Sequence, residues 1–300
     1  MRSKLFVPGA RPELYAKALA GEADAISLDL EDSVPEDRKA EARRQVAGFV
    51  QTRAAREAAK LIIVRVNALG TPHFEADVLA LARPGVTLLN LPKPESADDV
   101  RAAIAVLERA ESSNGLDVPI RCLVNIETPK ALRAAADIAR AHPRVAGLQL
   151  GLGDLFEPLG LDRRDAASVH ATMFAVRMAA GEAGVFACDG AFADIDDEEG
   201  FRAEAEMSHR LGYIGKSCIH PRQVAWANDV FRASETEIAQ ARRIVEAGRA
   251  AAAQGRGAFV VDGRMIDLPY LKRAEAIVAA AHRTGAAAGT STASRSDATN

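Results

Sequence analysis

Charged side chains recur just after short apolar runs along this chain. Asp29, Glu31 and Asp32 close the run Ala25–Leu30, Arg65 and Asn67 close Leu61–Val66, and Lys93 follows Thr87–Leu91. Glu127 follows Ile120–Ile126, Asp154 follows Val145–Leu150, Asp189 follows Val185–Cys188, and Lys216 and His220 lie in and after Tyr213–Ile219. The run interiors, such as Leu61-Ile62-Ile63-Val64, are otherwise apolar. Buried charge is expensive unless it is paired or metal-bound. Gathered at one opening, carboxylates with Arg and Lys around them suit a divalent cation and an anionic substrate. The candidate ligands are carboxylates, with no His pair at helical or strand spacing. Oxygen ligation of that kind favours Mg²⁺ or Mn²⁺ over zinc.

Each of these residues also has a plainer reading. Glu127 could serve the N-terminus of a helix that Pro129 opens, where carboxylates are favoured. Asp154 follows Gly151-Leu152-Gly153 and could bond its own backbone in a turn. Asp29, Glu31 and Asp32 could pair with Arg65 or with other cations. Lys93 and Lys216, read singly, are structural, and His220 before Pro221 serves a backbone turn. What favours function is convergence on one face.

The elements supply that face. Eight strand-like runs occur in order: the seven named above, preceded by Lys4 to Pro8. Amphipathic helical stretches follow them, among them Pro12–Ala20, Pro35–Val50, Ala97–Glu111, Pro129–Arg140 and Ala166–Ala183. Proline opens several, where its missing N–H costs nothing. Alternating strand and helix implies a parallel sheet with right-handed crossovers. Eight such units predict an α/β fold, a TIM (β/α)8 barrel, whose active face is the C-terminal ends of its strands. An open doubly wound sheet would want an early phosphate-binding loop, and Val7-Pro8-Gly9-Ala10 lacks the G-x-G-x-x-G spacing.

Residues 1–232 are therefore expected to form the catalytic barrel. Residues 233–284 form a lid or oligomerisation segment, with helices at Ser234–Ala253 and Leu268–His282 and a hairpin at Phe259–Met265 turning on Asp262-Gly263. The stretch 285–300 is rich in Gly, Ser, Thr and Ala and is expected to be a disordered tail.

Composition narrows the function classes. A net charge of -3 gives no basic excess, which argues against nucleic acid and leaves any anion site to a local cluster of Arg and Lys. Cys122, Cys188 and Cys218 are far apart in apolar stretches, so buried reduced thiols are expected rather than zinc or disulfides. No run approaches the ~20 apolar residues of a membrane span. The opening residues lack a signal-peptide core. The chain reads as soluble and cytoplasmic.

Seven stretches carry a resemblance. They are Arg2-Ser3-Lys4-Leu5-Phe6-Val7-Pro8-Gly9, Leu28-Asp29-Leu30-Glu31-Asp32-Ser33-Val34, Arg65-Val66-Asn67 and Leu91-Pro92-Lys93. Ile126-Glu127-Thr128-Pro129, Gly215-Lys216-Ser217-Cys218-Ile219-His220-Pro221 and Gly263-Arg264-Met265-Ile266-Asp267 complete the set. In this order they resemble the citrate lyase beta-subunit-like branch of the HpcH/HpaI aldolase superfamily, which includes malyl-CoA and citramalyl-CoA lyases. The resemblance implies a homo-oligomer, a trimer or hexamer, and Mg²⁺ held at Glu127 and Asp154. It implies that Arg65 contacts substrate and that Glu31 and Asp32 order metal-bound water. It also implies a catalytic Asp267 on a lid from a neighbouring subunit. Two departures mark this chain. Many relatives carry Glu-Asp-Leu where it has Gly153-Asp154-Leu155, and Pro-Tyr where it has Ala191-Phe192.

The implied reaction is Mg²⁺-dependent cleavage of a 3-hydroxy-3-carboxy acyl-CoA, such as malyl-CoA, citramalyl-CoA or a citryl thioester, to acetyl-CoA and a 2-oxo acid. Substrate would lie against Arg65, Glu127, Gly153, Asp154 and Leu155. The coenzyme A phosphates would meet Arg2, Arg11 and Lys17 around the first loop, with Lys93 a further candidate. Three alternatives stay open: a malyl-CoA thioesterase, a citrate lyase beta subunit acting on an acyl-carrier-protein thioester, and a class II pyruvate-type aldolase.

Overall fold

The computed structural model describes the backbone of residues 1–293 and the side chains of residues 1–281. The chain divides into two compact units, Met1–Phe231 and Arg232 onward.

The first unit is the barrel. Its strands are β1 Ser3–Pro8, β2 Ala25–Asp29, β3 Leu61–Arg65, β4 Leu88–Leu91, β5 Arg121–Ile126, β6 Val145–Leu150, β7 Phe186–Cys188 and β8 Lys216–Cys218. They are parallel and lie in the order β7-β6-β5-β4-β3-β2-β1-β8. Closure between β7 and β8 comes from a parallel bridge of Asp189 with Lys216. The Asp189 amide donates to the Gly215 carbonyl (2.9 Å) and the Ser217 amide to the Asp189 carbonyl (3.0 Å). The expected eighth strand, Tyr213–Ile219, shortens to three residues at this seam.

Successive strand residues face opposite ways, and both faces here are buried. Ile26, Leu28, Val64, Leu89, Val124 and Leu148 join helix residues such as Val46, Val78, Ile104 and Val176 in one large core. Ala25, Ile63, Leu88, Leu123 and Ala146 form a separate small cluster inside the barrel. Helix starts follow local chemistry. Ser96 and Thr128 accept the amides of Asp99 and Ala131, capping the helices Ala97–Asn114 and Pro129–Arg133. The expected helix Pro129–Arg140 is broken at Ala134, which sits near the bridge region at φ -95, ψ 9, and resumes as Ala135–Arg140.

Among the described residues no helix is long and apolar enough to cross a membrane. All three cysteines are free and buried, and burial pushes the thiols of Cys122 and Cys218 up to about 12.

The second unit holds the helix Glu235–Ala253, whose start is a reciprocal capping box between Ser234 and Glu237. A two-stranded antiparallel hairpin follows, β9 Phe259–Val261 and β10 Arg264–Ile266. Its two-residue turn has both residues at positive φ, Asp262 at 50 and Gly263 at 76, as a type I′ turn requires. The helix Leu268–Ala293 runs through the first part of the 285–300 stretch expected to be a tail. Ala286, Ala287 and Ala288 are strong helix formers that extend it. The rest of that stretch, 294–300, lies outside the described residues.

Candidate active site

At the C-terminal ends of β2 to β6 the structure brings Asp29, Glu31, Asp32, Arg65, Lys93, Glu127 and Asp154 into one cluster. Asp29 and Arg65 end paired strands and lie opposite each other in register. The guanidinium grips Asp29 with two nitrogens, Nε to Oδ1 at 2.7 Å and Nη2 to Oδ2 at 2.8 Å. Its third nitrogen, Nη1, reaches Glu31 Oε2 at 2.8 Å and Asp32 Oδ2 at 3.4 Å. Asp29 also accepts the amides of Glu31 (3.0 Å) and Ser33 (3.2 Å). Burial works against ionised Asp29, but Arg65 outweighs it and holds the carboxyl below its ordinary value. Such forked pairs fix orientation as well as charge. Gly9 permits the packing beneath: a Cβ there would stand 2.5 Å from the Asp29 carbonyl oxygen.

Glu127 is 1% exposed. It does not cap the following helix, a task that Thr128 performs. Its Oε1 accepts the Lys93 backbone amide at 2.8 Å, and its Oε2 accepts Asn125 Nδ2 at 2.9 Å. Asn125 is held in turn by Asn90 Nδ2 at 2.7 Å. Among the described residues no Lys or Arg pairs with Glu127. Burial, reinforced by the charges of Glu31 and Asp154, pushes its carboxyl up to about 7. An ionised Glu127 therefore lacks a cation. Asp154 is not in a simple turn but in the first turn of the short helix Leu152–Phe156, with its side chain 40% exposed. Two carboxylates, each with oxygens left for a ligand, fit a hard divalent ion that takes its remaining ligands from water or substrate. Among the described residues no group of three or more His, Cys, Asp and Glu able to hold a metal occurs.

Lys93 enters this cluster from β4. Its ammonium lies 2.9 Å from Glu31, 3.2 Å from Asp32 and 3.6 Å from Asp154. Burial opposes the charge, but the hydrogen bond to Glu31 and the surrounding carboxylates outweigh it and raise its pKa.

Other expected site residues fall elsewhere. Arg2 precedes β1, at the opposite end of the barrel from the carboxylates. It donates there from its backbone amide (2.7 Å), Nε (3.0 Å) and Nη2 (2.8 Å) to Asp24, so it does not join Arg11 and Lys17. Arg11 lies beyond β1, paired with Glu13, and Lys17 is exposed on the helix Tyr15–Ala20. Lys93 is committed to the carboxylates described above. Gly153 and Leu155 lie on the same short helix as Asp154, with Leu155 buried. Asp267 belongs to the second unit, just before the helix Leu268–Ala293.

Asp189 and Lys216 also leave the site. Lys216 Nζ bonds Asp189 Oδ2 at 2.7 Å and Glu204 Oε1 at 2.5 Å, and Arg163 Nη2 meets the same Glu204 oxygen at 2.7 Å. Lys216 and Asp189 are fully buried, and Lys216 shares its strand face with the core residue Cys218. Burial alone would discharge Lys216, but the two carboxylates outweigh it. The group ties β7 and β8 to the helix Glu198–Arg210. His220 accepts the Arg222 amide at 3.2 Å and caps the helix Pro221–Val230, as its position before proline suggests.

Asn90 and Asn125 were not singled out from the sequence, though each interrupts an otherwise apolar strand, Leu88-Leu89-Asn90-Leu91 and Cys122-Leu123-Val124-Asn125-Ile126. Gly151 is a further missed residue. A Cβ there would lie 2.6 Å from both Cβ and Oε2 of Glu127. Gly151→Ala is expected to displace Glu127 and weaken divalent-ion binding by about tenfold to a hundredfold. Calorimetric titration with Mg²⁺ or Mn²⁺ checks this, and an unchanged affinity would show that Glu127 is not confined by Gly151.

The HpcH/HpaI aldolase/citrate lyase family matches residues 2–221. The L-malyl-CoA/beta-methylmalyl-CoA lyase of Cereibacter sphaeroides is 37% identical over 298 residues, 92% of this chain and 93% of that protein. The citrate lyase subunit beta of Escherichia coli is 35% identical over 286 residues, 95% and 94% of the two chains. Among solved structures, the protein CitE from Mycobacterium tuberculosis in complex with magnesium, acetoacetate and coenzyme A superposes with a TM-score of 0.70 at 34% identity, covering 93% of this chain and 98% of that one. A barrel with this cluster at its C-terminal face and matches across nearly its whole length belongs to the HpcH/HpaI aldolase/citrate lyase family.

Proposed function

We propose that this chain is a Mg²⁺-dependent carbon–carbon lyase that cleaves a 3-hydroxy-3-carboxy acyl-CoA thioester, with malyl-CoA as the leading substrate, to acetyl-CoA and a 2-oxo acid. The observation that carries the reading is Glu127: a buried carboxylate that no Lys or Arg among the described residues pairs, beside Asp154 and an Arg65 clamped in place. The malyl-CoA lyase relatives and the CitE complex with magnesium and coenzyme A support the substrate class and the metal.

Glu127 and Asp154 would hold the ion. When bound it supplies Lewis acidity that polarises the substrate's hydroxyl and carboxylate oxygens. The rest falls to side chains. Arg65, fixed by Asp29, stands ready for the negative charge that the thioester oxygen gains as the C2–C3 bond breaks. A donor held in place before the charge develops favours the transition state over the ground state. Glu31 and Asp32 would order water in the cluster and take up the substrate's hydroxyl proton. Asp267, from the lid of a neighbouring copy in a trimer or hexamer, protonates the enolate carbon. Arg11 and Lys17 meet the coenzyme A phosphates at the loop after β1. Gly153 and Leu155 line the acyl group. The buried reduced thiols suit a cytoplasmic location.

The test is a substrate panel. The purified protein is incubated with malyl-CoA, citramalyl-CoA and free citrate, with and without Mg²⁺, and acetyl-CoA and 2-oxo acid are measured. The expected result is metal-dependent formation of both products from a CoA ester. Activity that survives EDTA removes the metal from the mechanism, and free CoA without a 2-oxo acid identifies a thioesterase instead.

A further inference from the structure

Lys93 is flanked by Pro92 and Pro94, yet its φ is 52, in the left-handed region. Among the described residues only Asp262 is another non-glycine residue at positive φ. A residue before proline normally stays extended, and a left-handed backbone is costly without glycine. Strain of this kind persists where the surroundings enforce it, and functional sites are such places.

Here the turn has a visible result. It aims both ends of one residue at the acidic cluster. The backbone amide goes to Glu127 at 2.8 Å, and the ammonium goes to Glu31 at 2.9 Å, Asp32 at 3.2 Å and Asp154 at 3.6 Å. The two cations of the site differ in freedom. Arg65 is 11% exposed and clamped by Asp29 through two nitrogens. The Lys93 side chain is 34% exposed on a flexible four-carbon stem. One cation is fixed and the other can swing.

We propose that Lys93 is an internal counter-cation. It neutralises the acidic pocket in the metal-free enzyme and withdraws toward solvent when a divalent ion is held by Glu127 and Asp154, so it sets how tightly that ion binds. The inference rests on the proposed metal site and adds a competitor to it. Without Lys93, Glu31, Asp32 and Asp154 would repel one another. With Lys93, the incoming ion must replace ion pairs already made. The amide-to-Glu127 bond belongs to the backbone and survives withdrawal of the side chain, so the ligand stays aimed.

The test measures Mn²⁺ binding to the full chain by the loss of the free-ion electron paramagnetic resonance signal. Lys93→Gly removes the charge and accommodates the positive φ. Lys93→Met removes the charge but keeps the bulk, and provides a second reading should one variant fold poorly. Both are expected to bind Mn²⁺ about tenfold tighter than wild type, since the ion no longer has to displace an ammonium from Glu31, Asp32 and Asp154. Glu127→Gln is expected to bind it much more weakly. If Glu127→Gln weakens binding while both Lys93 variants match wild type or bind more loosely, the counter-cation role is overturned and the metal site stands. If Glu127→Gln binds as wild type does, the metal-site reading falls and this inference with it.

Discussion

Replacing Glu127 by glutamine is expected to lower turnover on the CoA thioester by on the order of a thousandfold, while leaving the metal-free fold near its original stability. The activity loss follows from the ligand set. On the proposed reading two carboxylates hold the ion, and the buried one is lost. The several kcal/mol of charge stabilisation that a bound divalent ion contributes would go with it, at about 1.4 kcal/mol per tenfold in rate. The stability side is a balance. Glutamine has one oxygen for two donors, the Lys93 amide and Asn125 Nδ2, so one donor loses its partner at about 1–3 kcal/mol. Against this, the variant removes a buried carboxylate whose charged form is opposed by burial, Glu31 and Asp154. Steady-state kinetics at saturating Mg²⁺ and thermal unfolding in EDTA check both halves. Near wild-type turnover would remove Glu127 from the metal site.

Lys4→Met is expected to stabilise the protein at pH 7 by up to about 3 kcal/mol. Lys4 is fully buried in β1. Its ammonium bonds the Gln149 side-chain oxygen and sits 4.2 Å from the Phe6 ring centroid. Among the described residues no carboxylate pairs with it. Burial is the largest influence and lowers its pKa from 10.5 to about 8. Each tenfold change in acidity is worth about 1.4 kcal/mol, so carrying this charge costs about 3 kcal/mol. The sign follows from proton counts. Between about pH 8 and 10.5 the unfolded chain holds the proton and the folded one has released it, so this group makes stability rise with pH across that window. Below it the full cost remains. Methionine fills similar space without the charge, so the variant should be more stable at pH 7 and lack this part of the rise. Chemical unfolding of both proteins at pH 7 and at pH 10 measures the difference. A variant less stable than wild type at pH 7 would mean that Gln149 and Phe6 compensate the ammonium in full.

Much of the site is legible in the sequence, for a physical reason. A carboxylate after an apolar strand is conspicuous because the strand has few other polar groups, and in a parallel barrel all strand ends with one polarity share a face. Asp29, Glu31, Asp32, Arg65, Glu127 and Asp154 stand out this way, and the structure gathers them in one cluster. The same rule failed for Asp189 and Lys216. In strands of three residues, a single step decides whether a side chain faces the interior or the helices. The hydrophobic pattern is too short to reveal that step, and the core position of Cys218 sets it for Lys216. Arg2 failed differently: it precedes its strand, so it belongs to the opposite end of the barrel, where Asp24 takes it.

By itself the sequence determined the alternation of strands and helices, the hairpin turn at Asp262-Gly263, and the carboxylate character of the site, because each depends on local periodicity or residue chemistry. Only the tertiary structure decided which charges meet. It divided them into a clamped pair, Asp29 with Arg65, a buried group around Lys216, and a carboxylate at Glu127 that no Lys or Arg among the described residues pairs. It also turned Lys93 into that cluster through a backbone conformation that Pro94 argues against. Pairing depends on which side of a strand a residue faces and on distances between strands far apart in the chain, and neither is written in any short stretch of sequence.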